Sequence, residues 1–226
     1  FLQFDPFTDI RIVETQPEYF ERLAHLQTIL FGGLTAEELF TVAMYQQQVR
    51  AFAEGQLTAL VRVHGEWVVA GATTTLRTNH FFDSDASLYY FDFIGRGSLS
   101  THEADGSWLY GIDLGVHPDF RRMGIGSRLY AVRHALVQKL GMCGELVAGL
   151  LPGYDTYRQR YSVAQYAARV ADGELIDPTL TMQLSNGFHL HKLLQGYVID
   201  ARSDDTATLL IRRNPERLDD ENACRL

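Results

Sequence analysis

The chain has 226 residues, ample for one large domain with a well-buried core, and its 46% hydrophobic and 21% charged residues are those of a folded globular protein rather than a disordered one. A formal net charge of -8, from 20 basic and 28 acidic residues, argues against a nucleic-acid partner, whose phosphates demand a basic surface, and is compatible with a cationic substrate. No apolar run approaches the roughly 20 residues that cross a bilayer and no basic-then-apolar leader opens the sequence, so no membrane partner and a cytoplasmic location are expected.

In chain order, residues 7–15 alternate as a first strand, and Glu18 to Leu30 reads as a helix. A second helix is expected over Thr35 to Glu54, opened by Thr35-Ala36-Glu37-Glu38, a pattern in which Thr35 and Glu38 satisfy each other's backbone donors. Leu57 to Val63 and Trp67 to Thr75 form a hairpin across His64-Gly65-Glu66. From residue 79 to 107 the pattern breaks into Asp83-Ser84-Asp85 and Gly95-Arg96-Gly97-Ser98 around Tyr89-Tyr90-Phe91. A polar insertion of that length inside a domain is a candidate for part of a substrate site, with His102 and Glu103 within it.

Next comes Trp108 to Val116, rich in apolar and aromatic residues and of strand length, stopped by Pro118, which lacks a backbone donor. Ile125, Leu129, Val132, Leu136 and Leu140 then recur at helical spacing until Gly141. The intervening His117-Pro118-Asp119-Phe120-Arg121-Arg122-Met123-Gly124-Ile125-Gly126-Ser127 therefore ends at a helix N-terminus, where unpaired N–H groups and the positive end of the dipole favour an anion. Gly124 and Gly126 let a phosphate approach the main chain without meeting a β-carbon. A dinucleotide fingerprint would need a third glycine where Leu129 stands, and a phosphate loop of the Walker type would need a lysine where Ser127 stands. Both are absent.

What remains, Arg121-x-x-Gly124-x-Gly126 after a strand ending in Val116-x-Pro118, resembles the pyrophosphate-binding motif of the GNAT superfamily of N-acetyltransferases. Further along, Gly149-Leu150-Leu151-Pro152-Gly153-Tyr154 and the run from Gly173 to Phe188 resemble one GNAT branch, often fused to a carbon-nitrogen hydrolase of the nitrilase type. The chain stops at Leu226, so no hydrolase domain is expected in it, and Phe1 in place of Met points to a trimmed or partial gene product. The resemblance implies an α/β (α+β) fold with a central mixed, mostly antiparallel sheet of about seven strands, flanked by helices on both faces and splayed beside the cofactor loop.

The remaining elements are a strand over Cys143 to Gly149, a helix over Arg158 to Ala171, a short helix over Leu180 to Asn186, and a closing antiparallel pair, Phe188 to Asp200 with Thr206 to Arg213. One domain over 1–213 and a solvated tail over 214–226, carrying Asp219-Asp220-Glu221-Asn222, are expected. Cys143 and Cys224 give no disulfide framework; Cys143 reads as a small apolar core residue rather than an acyl-accepting nucleophile. His189 and His191 share a strand face, but no cysteine or carboxylate stands at ligand spacing beside them, and no metal is expected.

The resemblance implies acetyl-CoA as acyl donor, with the pantetheine arm along the main chain of Leu114, Gly115 and Val116. The diphosphate would meet the amides of Met123, Gly124, Ile125, Gly126 and Ser127, with charge from Arg121 or Arg122. Gly115 is where a bulge or close approach is expected, since glycine otherwise weakens a strand. Direct attack by an amine, expected to belong to a small molecule, needs a base and an acid. Asp113 is the candidate base. Many relatives use a tyrosine four residues before a Gly-Phe pair to protonate the thiolate, but before Gly187-Phe188 that place holds Gln183, and Tyr154 is the candidate substitute. The alternative reading is an acetyl-CoA-binding sensor or regulatory domain without turnover. A monomer or homodimer fits either.

Overall fold

The computed structural model describes residues 9–80, 89–217 and Cys224. Its elements are β1 (Ile10–Glu14), α1 (Phe20–Leu30), α2 (Val42–Phe52), β2 (Leu57–Val63), β3 (Glu66–Thr78), α3 (Tyr90–Phe93), β4 (Trp108–Val116), α4 (Ile125–Lys139), β5 (Gly144–Gly149), α5 (Tyr154–Tyr157), α6 (Val163–Ala171), α7 (Leu180–Ser185), β6 (His189–Gln195) and β7 (Thr206–Arg213).

Side-chain alternation along the strands supplies two apolar faces. In β2, Leu57, Ala59 and Val61 pack with Ile125 and Leu129 of α4, while Leu60 joins Phe20, Leu23 and Leu26 of α1 in a separate cluster. In β4, Trp108 and Tyr110 belong to the α1 side, and Leu109 packs with Leu136 and Val137 of α4. Each fully buried Leu or Val contributes about 1.5–3 kcal/mol of transfer free energy, so both helix layers are held by the same sheet. The strands lie in the order β1-β2-β3-β4-β5-β7-β6. Of the pairings, β4 with β5 is parallel and the others are antiparallel.

The parallel pairing is short. It runs from Trp108 opposite Gly144 to Gly111 opposite Val147 and stops, although β4 continues along β3 to Val116 and β5 continues along β7 to Gly149. Beyond Gly111 the two central strands separate, so the sheet splays as the resemblance implies. The departure begins at a bulge: Thr75 pairs with Gly111 and Thr74 with Asp113, leaving Ile112 as the extra residue.

Several expectations are corrected. The pattern at Thr35 does close, with Thr35 N donating to Glu38 Oε2 at 2.9 Å and Glu38 N to Thr35 O at 3.1 Å, yet it makes only a turn. Phe40 is buried against Tyr45 at 5.9 Å between ring centres, and the helix restarts at Val42 with Thr41 as its cap. Likewise the helix expected from Arg158 begins at Val163, where Ser162 and Gln165 form a reciprocal cap. Of the two alternatives expected at Gly115, the close approach holds, since a β-carbon there would overlap Leu30 Cδ1, and the bulge falls at Ile112. In α4, Val132 is 36% exposed and Arg133, one residue on, is 1% exposed, because the buried stripe runs Ile125, Leu129, Arg133, Val137.

Cys143 and Cys224 form a disulfide, against the sequence expectation. Sequence spacing could not show it because the tail folds back on the start of β5. Asn214 N donates to Cys143 O at 2.9 Å, Asn214 Nδ2 to Met142 O at 2.8 Å, and Arg213 Nη1 to Cys224 O at 3.2 Å. The insertion's described part is also packed, since Phe91, Phe93, Ile94 and Leu99 enter the α1-side core. His102 Nδ1 accepts from Arg77 N at 3.0 Å, which ties the insertion to β3. Phe7 and Thr8 of the expected first strand, Asp83-Ser84-Asp85 and Asp219-Asp220-Glu221-Asn222 lie outside the described residues.

Candidate active site

The splay leaves one edge of Ile112–Val116 without a strand partner among the described residues, and the chain past that edge turns into α4. A short 3-10 turn at Pro118–Phe120 follows β4, Arg122 takes a left-handed conformation (φ 65°), and Gly124, at φ 78°, is the residue before the helix. No side chain caps α4, and a β-carbon on Gly124 would meet nothing within 4 Å. One on Gly126 would meet only Leu114 Cδ2, at 3.8 Å. The helix end is thus open on the side where its amides are unpaired. Arg121 directs Nε to Val116 O at 3.2 Å, bracing the loop against the strand end, and both Arg121 and Arg122 are exposed.

A cavity of about 310 Å³ opens at the same splay, within the size range of small-molecule sites. It is walled by the end of α1 and the turn after it, by Gly111 to Leu114 of β4, by Tyr130 and Arg133 of α4, by the end of β5, by Gln183 of α7, and by Tyr90 of the insertion. Of the residues singled out from sequence, Asp113, Leu114 and Gln183 line it. Tyr154 does not: it is 6% exposed and tilted against Tyr166 at 5.6 Å, in the cluster formed with α6 and α7.

Asp113 has both carboxylate oxygens occupied. Thr74 N, freed by the bulge, donates to Oδ1 at 2.7 Å, and Gln27 Nε2 donates to Oδ2 at 2.9 Å. Burial raises this carboxyl above its ordinary value, outweighing the two hydrogen bonds and the Arg133 charge, which lower it. Glu38 goes the other way. Burial alone would raise it, but Tyr89 Oη at 2.6 Å and the Thr35 amide and hydroxyl donate to it and hold it below its ordinary value. Tyr130 is pushed up to about 12 by burial, with Arg133 and the Gln183 amide beside its hydroxyl pulling it down and Glu145 adding to the rise. It therefore carries its proton throughout the neutral range. Gln183 is 5% exposed and its Oε1, packed against Gly149, accepts no hydrogen bond among the described residues.

Beneath the floor, Arg133 is 1% exposed and ion-paired to fully buried Glu145, whose other oxygen is 3.0 Å from His134 Nε2. Arg133 Nη1 donates to Thr73 Oγ1 at 3.2 Å, which joins α4 to β3 through the plane of the sheet. Sequence reading missed Arg133, Tyr130 and Glu38, whereas Tyr90 belongs to the insertion it singled out. For the first, the four-residue spacing after Leu129 was a signal, masked by the rule that arginine stays outside. No local pattern marks the others, which reach the cavity from separate elements.

The sequence model of the Acetyltransferase (GNAT) family matches residues 13–149. A Bacillus subtilis (strain 168) protein named "Probable hydrolase YhcX" is 34% identical over 158 residues, which are 70% of this chain and 29% of that protein. The chain thus spans less than a third of YhcX. "Uncharacterized N-acetyltransferase YkwB" of the same strain is 28% identical over 214 residues, 94% of this chain and 91% of that one. Among solved structures, the loading GNATL domain of CurA from Lyngbya majuscula superposes with a TM-score of 0.75 at 17% identity, over 92% of this chain and 100% of that chain, a likeness of fold. No helix among the described residues is long and apolar enough to cross a membrane. With a seven-stranded sheet split between β4 and β5, an uncapped glycine turn at the split and a family match over more than half its length, this chain belongs to the GNAT acetyltransferases and is an acyl-transferring enzyme.

Proposed function

We propose that the chain is an N-acetyltransferase that takes the acetyl group of acetyl-CoA and passes it to the amine of a small molecule by direct attack. In this reading the diphosphate lies against the amides of Met123 to Ser127, Arg121 and Arg122 add positive charge at the loop, and the pantetheine arm runs along the unpaired edge of Leu114, Gly115 and Val116. The observation that carries it is the coincidence, at one split in the sheet, of an uncapped helix start with open space at Gly124 and a cavity of about 310 Å³.

The chemistry then needs one base and one acid. The amine nitrogen bonds to the thioester carbonyl carbon, the carbonyl reforms as the C–S bond breaks, the ammonium proton passes to Asp113 directly or through water, and the departing thiolate takes a proton. A carboxyl raised by burial is better matched to taking a proton near neutral pH than an ordinary aspartate. For the acid we assign Tyr130, which lines the cavity with Gln183 and carries its proton at rest, whereas Tyr154 is not among the lining residues. Gln183 also favours the second reading, a CoA-binding domain without turnover, because glutamine is no acid. Tyr130 at its side supplies the group whose loss that reading requires.

Gly126→Glu tests the donor site. A β-carbon at this position has room and an acidic residue in a first helical turn is favourable, so the fold should persist while a carboxylate sits in the diphosphate path. Calorimetric titration with acetyl-CoA should show binding to the parent and none to the variant. Equal binding by both would end the assignment.

A further inference from the structure

The charges that line the cavity do not cancel. Arg133 is paired with Glu145, and Arg202 Nε is 2.9 Å from Asp200, which also accepts from Ser203 Oγ. Those pairs leave Asp113 and Glu38, for neither of which an ion pair is formed among the described residues; their hydrogen bonds come from neutral donors, the Gln27 amide, the Thr74 amide, Thr35 and Tyr89. The two carboxylates arrive from different elements and line the same cavity of about 310 Å³, as does Tyr90. The Tyr90 hydroxyl, in the same wall, is held well above its ordinary value first by burial, then by Asp113 and Tyr110, with Glu38 and Tyr45 adding to the rise. Around that place the wall is apolar: Leu30, Phe31, Leu34 and Phe40.

We propose that the acceptor is a small amine with an aryl or branched alkyl body and no carboxylate, its ammonium held between Asp113 and Glu38 beside Tyr90. This rests on the amine-acetylation reading above and narrows it to decarboxylated amines. Two carboxylates in a partly desolvated wall attract a cation strongly, and the same field repels the carboxylate that an α-amino acid would bring in with its amine. A neutral body of the same shape gains only the apolar contact.

The test uses the whole chain, with and without saturating CoA, titrated calorimetrically with phenethylamine, isoamylamine, phenylalanine and 2-phenylethanol. At least one of the two amines is expected to bind, with phenylalanine and the alcohol weaker by at least about tenfold, as for a site that discriminates on one desolvated polar group. Glu38→Gln and Asp113→Asn should each weaken the amine by about tenfold or more, with CoA binding unchanged. Binding of neither amine, equal binding of phenylalanine, or an amine affinity indifferent to both substitutions would overturn the proposal. Acetylation of phenylalanine alongside any of these would leave the amine-acetylation reading standing; loss of CoA binding by the parent chain would remove that reading while the titration without CoA still decides this one.

Discussion

Gly111 of β4 lies directly against the guanidinium of Arg133 of α4, in the space that a β-carbon would fill. The glycine lets a cation enter the sheet where the two central strands part, and Glu145 on the next strand neutralises it there. Gly111→Ala therefore displaces a buried ion pair instead of filling a void. Urea denaturation should show a loss of about 3–5 kcal/mol, the range for breaking a buried pair. A loss under about 1 kcal/mol, the usual scale of a benign surface change, would mean that the pair is not held in this way.

Asp113→Asn should separate stability from turnover. Because burial raises the folded-state pKa of this carboxyl, ionising Asp113 costs stability; the cost is absent below the unfolded value, grows between the two values and is complete once the pH exceeds the raised one. The variant should thus melt no lower than the parent at pH 8, with any advantage fading as the pH falls through the folded pKa. Acetyl transfer should fall by about 10²–10⁴-fold, the contribution of a general base. A variant with parental kcat would dismiss Asp113 as the base.

Tyr130→Phe removes one hydroxyl from the cavity wall and leaves the ring packed on Phe188 at 5.4 Å. If Tyr130 delivers the proton to the thiolate, kcat should drop by about 10²-fold or more while the affinity for acetyl-CoA stays within a factor of two. Tyr154→Phe serves as the comparison, and a larger kcat effect there than at Tyr130 would reverse the assignment.

The Cys143–Cys224 disulfide closes a loop with a sequence separation of 81. By loop-closure entropy it stabilises the folded chain by up to about 4.5 kcal/mol. Cys224→Ser, or a reductant, should lower the urea midpoint accordingly. Cys143 stands before the Gly144 end of β5, and the cavity is at the Gly149 end, so the affinity for acetyl-CoA should not change.

The sequence by itself determined the strand, loop and helix that open the site, because each of their signals is local: apolar and aromatic residues over the strand length of Trp108–Val116, the stop at Pro118, glycines at 124 and 126, and helical spacing after them. It also announced the closing strand pair and the departure at Gln183. Only the tertiary structure decided what surrounds the chemistry. Glu38, Tyr90, Asp113 and Tyr130 line one cavity because the order of strands in the sheet brings four separate segments to one split, and no window of sequence records that order. Arg133 faces inward since Gly111, on another element, leaves it room, and Cys224 bonds to Cys143 across a sequence separation of 81 that no local pattern records. Periodicity is set by the backbone a few residues at a time, whereas the company a side chain keeps is set by the packing of whole elements.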